Sequence, residues 1–399
     1  MRFADIAGYD ALKKALVGMA DSGRVAHAML LYENDGCGAL ALSLAYAQYL
    51  ACEHPHDGDS CGHCPACNRM AKLIHPDLHF VFPTNTGSKS GKTKAENITS
   101  DLYMADFRTL ALENPWFLEP QLMEAIGLEG KSWDVNVAEA KELSRVLALT
   151  SIEGGWKFVI FYLPETLRLE AANKLLKLVE EPPEKTLFLF ITHQPQKVLQ
   201  TIFSRCQSLR IPPLSVGEMA AALASRGYAG RPADAWNPTS PEDALRLLPA
   251  DAAEQARVCG GSLGAALYAL RSGDDSRQFE QWFEQLVQAL LENRLLDAWA
   301  VGEQLAALSS REKQKAFCIF VSDMLRKIFL IQRRMDGLSY ATASRGELCR
   351  SLAGRLPRNF VPRLQPVLDK TVYYIDRNVN QKVLFTDLIN RMSINITRA

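Results

Sequence analysis

Two hydrophobic regimes divide the chain. Up to about residue 212, short continuous apolar runs alternate with stretches whose apolar residues recur every three or four positions; beyond it the second pattern dominates. "AHAMLLY" (26–32) is a strand-length run that ends in a glycine turn, and an Ala/Leu-rich helix is predicted over 39–51. "WKFVIFYL" (156–163) predicts a second buried strand. The helix behind it, "ETLRLEAANKLLKLVEE", places Leu167, Ala171, Leu175 and Leu178 on one face and stops at Pro182-Pro183. "TLFLFIT" (186–192) reads as a third strand, "QKVLQTIF" as a helix and "QSLRI" (207–211) as a fourth strand. Apolar strands joined by helical crossovers predict a parallel sheet covered on both faces.

Between about 84 and 130 the pattern breaks. "PTNTGSKSGKTKAENITS" is polar and predicts a flexible excursion, followed by a helical piece, "YMADFRTLALENP", so the stretch reads as an insertion. Residues 213–275 predict a small unit of short helices, and 276–399 a bundle of long amphipathic ones. One of these, over about 311–335, carries a capping box in Ser309 and Glu312 and a stop at Gly337. The expected layout is an α/β domain over 1–212, a small helical domain over 213–275 and a helical domain over 276–399.

Composition narrows the partners. The 399 residues are 48% hydrophobic and 23% charged, enough apolar material for a large core. Lys+Arg and Asp+Glu each number 45, so no net field draws the protein to nucleic acid or membrane. The N-terminal "MRFADIAGYDALKKAL" lacks an apolar signal region, and the longest apolar runs are strand-length, far short of a membrane span. Nine cysteines without an export signal point to a cytoplasmic protein in which clustered cysteines hold metal rather than disulfides.

Four of those cysteines form such a cluster. "CEHPHDGDSCGHCPAC" sets Cys61, Cys64 and Cys67 two residues apart, so that neighbouring sulfurs converge on one ion, and the eight-residue loop brings Cys52 back as the fourth. Four thiolates favour a tetrahedral, structural Zn²⁺ with no position left open, although an iron–sulfur cluster uses the same ligands. His54, His56 and His63 lie nearby and are read as bystanders.

"YENDGCGALALSLAYAQYL" (32–50) has the form of a phosphate-binding loop opening a helix. Set on the pattern G-x-x-x-x-G-K-[ST], Gly38 is the second glycine, Ala39 takes the lysine position and Leu40 the hydroxyl position. Gly36 and Gly38 permit the turn, but no cation reaches a triphosphate and no oxygen ligates Mg²⁺. Glu33 and Asp35 at the mouth are expected to repel a polyphosphate. Where an Asp and a water-orienting Glu belong, at the end of "KFVIFYL", stand Tyr162 and Leu163, with Glu165 set beyond Pro164. Tight ATP binding is therefore not expected. "TGSKSGKT" (86–93) nearly fits the loop pattern but opens no apolar helix, and is read as a decoy.

From "NKLLKLVEEPPEKTLFLFITHQPQKVLQTIFSRCQSLRIPPLS" (173–215) onward, the chain resembles clamp-loader subunits of the AAA+ family. The cysteine spacing behind a defective loop is similar to that family's delta-prime branch in bacterial DNA polymerase III. "HPD" (75–77), "CGGSLGAAL" and "IDRNVNQKVLFTDL" (375–388) extend the resemblance over nearly the whole chain outside the insertion. Gly264 stands where active subunits usually carry a sensor arginine. The resemblance implies an AAA+ α/β domain with an inserted zinc module (52–67), a helical lid and a helical collar for oligomerisation. It implies a subunit that joins the loader's ATPase subunits and delta subunit, and meets the sliding clamp and primed DNA through the assembled complex. It also maps an arginine finger, offered in trans to a neighbour's ATP, onto Arg205 of Ser204-Arg205-Cys206. A guanidinium fork suits phosphate oxygens, whereas a lone surface arginine more often makes a salt bridge. Two rival readings are an active ATPase of the same superfamily and a zinc-containing nucleic-acid-binding module. Ala39, Leu40 and Tyr162 argue against the first, and neutral net charge against the second.

Overall fold

A computed structural model describes residues 1–85, 98–129, 131–229, 238–271, 273–308, 311–335, 343–377 and 379–397. The decoy run 86–93, Ser309 and Gly337 lie outside the described residues, as does the side chain of Glu312. The chain divides into two compact units, Met1–Tyr268 and Ala269–Ala399.

The first unit is built on a parallel sheet in the order β2-β3-β4-β1-β5. Its strands are β1 (Ala28–Tyr32), β2 (Leu78–Val81), β3 (Lys157–Tyr162), β4 (Thr186–Thr192) and β5 (Gln207–Arg210). β2 is a fifth strand beyond the four expected: it adds to the edge by pairing Leu78 with Phe158 through Val81 with Phe161. β3 and β4 are buried at every position, as central strands of a covered sheet must be.

Helices α1 (Asp10–Asp21), α2 (Ala39–Ala51) and α3 (Pro65–Ala71) precede β2. α2 is buried continuously from Ala39 to Tyr49, which is why its sequence is apolar all round. Between β2 and β3 come α4 (Met104–Glu113), α5 (Glu119–Ala125) and α6 (Val137–Leu147); α7 (Leu169–Glu180) follows β3, and the single-turn α8 (Gln200–Phe203) leads to β5. Ala140 and Leu143 of α6 and Ala171 and Leu175 of α7 pack on Leu30, Phe161, Phe188 and Phe190 of the sheet. Val179 completes the α7 face, leaving Leu178 half-buried.

Most of the polar run expected as an excursion, 86–97, lies outside the described residues, and the helical piece expected after it forms α4. Ile98, Tyr103 and Phe107 are fully buried, and the Phe107 ring stacks on Phe82 at 4.6 Å. Ile98 at the end of the polar run and the apolar residues that follow it supply this packing.

Among the described residues after β5 come α9 (Val216–Leu223), capped by Ser215 and Glu218, with a π-helical turn Ala224–Tyr228 behind it, then α10 (Pro241–Leu247), α11 (Ala250–Val258) and α12 (Leu263–Arg271). The second unit comprises α13 (Gly273–Leu291), α14 (Leu295–Ala306), α15 (Arg311–Gln332), α16 (Ala343–Arg355), α17 (Phe360–Asp376) and α18 (Gln381–Thr397). They enclose a core that includes Phe283, Phe317, Leu325, Phe360, Leu364 and Phe385. No helix among the described residues is long and apolar enough to cross a membrane.

Candidate functional site

β1 delivers the chain to the glycine turn at the carboxyl end of the sheet, and Gly38, with φ of 122°, caps the start of α2. Such a helix start presents unpaired N–H groups and positive potential to an anion. Here the anion site is met from within. Glu33 is 8% exposed and turned inward, and its Oε2 accepts the Ala39 N–H at 2.7 Å. It is therefore a buried group of the loop rather than part of a charged mouth. Burial lifts its carboxyl to about 8, with the Ala39 N–H pulling the other way. Ala39 and Leu40 are buried, and their side chains face core. Gly36 (φ 78°) makes the turn before them.

A second group of polar side chains closes the ends of β3 and β4. Asp35 accepts the Glu119 N–H at 2.9 Å and lies 3.3 Å from His193 Nε2. That nitrogen is also 3.1 Å from the Tyr162 hydroxyl, while Glu165 accepts the His193 N–H at 3.2 Å. Tyr162 is held far above its ordinary range, chiefly by burial and then by Asp35 and Glu33. Leu163 is buried in a left-handed conformation, φ 59°, at the turn out of β3. His193 is a member of this group that the sequence reading did not single out; its signal was its place one residue beyond the third apolar run.

The four cysteines converge as their spacing predicts. Their sulfurs lie within 4.8 Å of one another, and Cys61 and Cys67 sulfurs are 3.9 Å apart. Tetrahedral Zn–S bonds of about 2.3 Å require sulfurs about 3.8 Å apart, so the set fits a metal ion. Backbone N–H groups of Cys61, Cys64 and Cys67 point at the sulfurs of Cys52, Cys61 and Cys64, at 3.2, 3.4 and 3.4 Å. The Cys61 thiol is lowered to about 6, chiefly by the His63 backbone N–H, whereas burial raises the thiols of Cys52 and Cys67. The His63 ring contacts the Cys61 carbonyl and the His56 ring Asp57, so both stand aside from the sulfurs.

The module is tied to the sheet through "HPD". Asp77 accepts bonds from Ile152 N–H (2.9 Å), Glu153 N–H (3.2 Å) and the Ser151 hydroxyl (3.0 Å). Because His75 Nδ1 accepts the Asp77 N–H, its Nε2 carries the proton and donates to Glu153 at 3.1 Å. Arg69, two residues past Cys67 on α3, pairs with the same Glu153 at 2.6 Å.

Arg205 sits in the turn between α8 and β5, with its side chain 37% exposed. Its guanidinium pairs with Glu180 at the end of α7 and donates to the Thr201 carbonyl at 2.9 Å. Ser204 is exposed, whereas Cys206 is half-buried against the sheet-side core, which lifts its thiol to about 12. In the register of β5, Gln207 pairs with Met29 and Arg210 with Tyr32. Arg205 thus lies at the amino end of the sheet, opposite the loop at 33–38.

A parallel sheet whose first strand feeds a glycine turn and helix defines a phosphate-loop fold, here with a cysteine module beside it. A family model described as DNA polymerase III, delta subunit, matches residues 8–215, and the chain belongs to that family. The curated DNA polymerase III subunit delta' of Yersinia pestis is 32% identical over 48% of this chain and 44% of its own, so this match spans less than half of that relative. The delta' of Escherichia coli is 27% identical over 94% of this chain and 92% of its own. Among solved structures, a gamma subunit-related protein from Thermotoga maritima aligns over 96% of this chain and 99% of its own, at 14% identity and a TM-score of 0.39.

Proposed function

We propose that this chain is a non-catalytic, delta-prime-like subunit of a bacterial replicative clamp loader. It helps place the sliding clamp on primed DNA, and it takes part in ATP hydrolysis only by offering Arg205 to a neighbouring ATPase subunit. The observation that carries this reading is the Glu33 carboxyl bonded to the Ala39 N–H, in the place a phosphate would take at a working loop. Ala39, Leu40, Tyr162 and Leu163 support it, since none can hold a triphosphate, ligate Mg²⁺ or orient water. Arg205 supports the reach in trans because it lies at the sheet end away from its own loop.

On this reading Cys52, Cys61, Cys64 and Cys67 hold a structural Zn²⁺ and no ATP is bound tightly. The family and its relatives point to the loader's ATPase subunits and delta subunit as partners, in the cytoplasm. The test is ATP hydrolysis by the loader reconstituted with Arg205→Ala. Arginine fingers contribute on the order of 10³–10⁵ in rate, so clamp- and DNA-stimulated hydrolysis at the neighbouring site should fall by orders of magnitude. Unchanged hydrolysis in a fully assembled complex refutes the role of Arg205.

A further inference from the structure

The space in front of Gly38 is filled by the insertion. The Trp116 indole Nε1 lies 2.7 Å from where a Cβ on Gly38 would stand, so any side chain at position 38 collides with it. Trp116 is 2% exposed, and the Arg226 guanidinium covers its ring 3.8 Å from the centroid. The next three residues continue the contact. Phe117 packs on Tyr162 at 5.4 Å, Leu118 reaches Gly36 and Gly264, and the Glu119 N–H bonds Asp35.

Residues beyond β5 meet the same glycine loop. The Gly264 N–H donates to the Gly36 carbonyl at 2.9 Å, and the Ser262 hydroxyl to the Asp35 carbonyl at 2.7 Å. A Cβ at position 264 would come within 2.0 Å of the Trp116 carbonyl oxygen, so only glycine permits this approach. One short segment therefore touches the phosphate loop, the end of β3, and residues 226 and 264 together.

We propose that residues 116–119 are a built-in plug that fills the space in front of the remnant phosphate loop, over the place the Glu33 carboxyl takes. In this role Trp116 is the central group, and it joins the loop to the helices after β5 as a bound ligand would. This rests on the reading that the loop has no nucleotide to turn over, and it assigns the insertion its task. The indole supplies buried apolar area and a face for Arg226, replacing the charge pairing a phosphate would need. Trp116 is a positioning residue: it acts on the seat of Gly264 and touches no reacting atom.

Cavity rescue in the full-length chain tests this. Trp116→Gly should lower the melting midpoint and speed amide exchange at Gly264 by about tenfold or more. Millimolar indole should restore both in the variant and leave the unaltered chain unchanged, because a ligand that binds only the folded state stabilises it. MgATP should protect neither. If Trp116→Gly does not fold, Arg226→Ala in the otherwise unaltered chain should still speed exchange at Gly264. Unchanged exchange at Gly264 in a folded variant overturns the proposal, and so does protection of residues 36–39 in the unaltered chain by MgATP. These readouts come from the isolated chain, so they are separate from the Arg205 assay, which needs the assembled loader.

Discussion

Glu33 stands one residue beyond β1, where its burial makes folding depend on pH. Its folded-state carboxyl is raised from 4.5 to about 8, so the native state keeps a proton that the unfolded chain releases. Stability is then greatest below the unfolded value, falls as pH rises from about 4.5 to about 8, and levels off above that. Glu139 adds to the same slope: burial raises it to about 7 against the bonds it accepts from Ser100. Glu33→Gln keeps an oxygen for the Ala39 N–H and removes the titration. Denaturation midpoints from pH 5 to 9 should show a flatter profile for the variant, with a gain at pH 8 on the order of a few kcal/mol. An identical slope in both proteins contradicts it. The absent lysine and hydroxyl were legible in the sequence because they are questions of which side chain stands at a fixed spacing. The inward turn of Glu33 was not, because it is decided by what packs over the loop, and that cover comes from residues about 80 positions later.

The same limit appears among the elements. β1, β3 and β4 were legible because each is a bounded apolar run, and the polar β5 from its place after a helix, but β2 is only four residues with His79 inside it. It is a strand because β3 offers a ladder, and no local period announces such a partner. The cysteine spacing, by contrast, specifies its own geometry. What it did not announce is the connection from α3 to loop 151–153 through Arg69, Glu153, His75 and Asp77. α3 has only seven residues and cannot persist alone, so its position depends on the cysteine cluster at its start. Metal analysis should find about one zinc per chain, lost in Cys64→Ala. Stripping the metal should speed exchange across 61–71 and, through Arg69, at Ile152 and Glu153. Arg69→Ala should keep the metal and loosen only the second region. Its cost in stability should stay below about 1 kcal/mol because the pair is partly exposed. Metal-free protein that keeps full protection at 61–71 rules this out.

Across the whole chain, the family resemblance was legible from motif order, yet Arg205 shows why a motif does not reveal a state. In the isolated chain its guanidinium is engaged by Glu180 and the Thr201 carbonyl, the salt bridge expected of any surface arginine. The two roles separate when both partners of that pair are altered. If Arg205 serves only the pair, Arg205→Ala and Glu180→Ala remove the same contact. Each should then cost less than about 1 kcal/mol, with both side chains more than a third exposed, and hydrolysis by the assembled loader should respond equally to both. If the pair is a resting place for a group that works elsewhere, the variants diverge. Glu180→Ala then leaves the guanidinium charged and free to extend, so stimulated hydrolysis is retained, whereas Arg205→Ala removes the cation from the neighbour's transition state and hydrolysis collapses. Arg205→Lys should rescue only in part, because an ammonium cannot reproduce the planar two-pronged contact with phosphate oxygens. Melting curves of the isolated variants and ATPase rates of the assembled ones, measured side by side, distinguish the two. A small, equal loss of stability with unequal hydrolysis identifies a residue whose function lies outside its own chain.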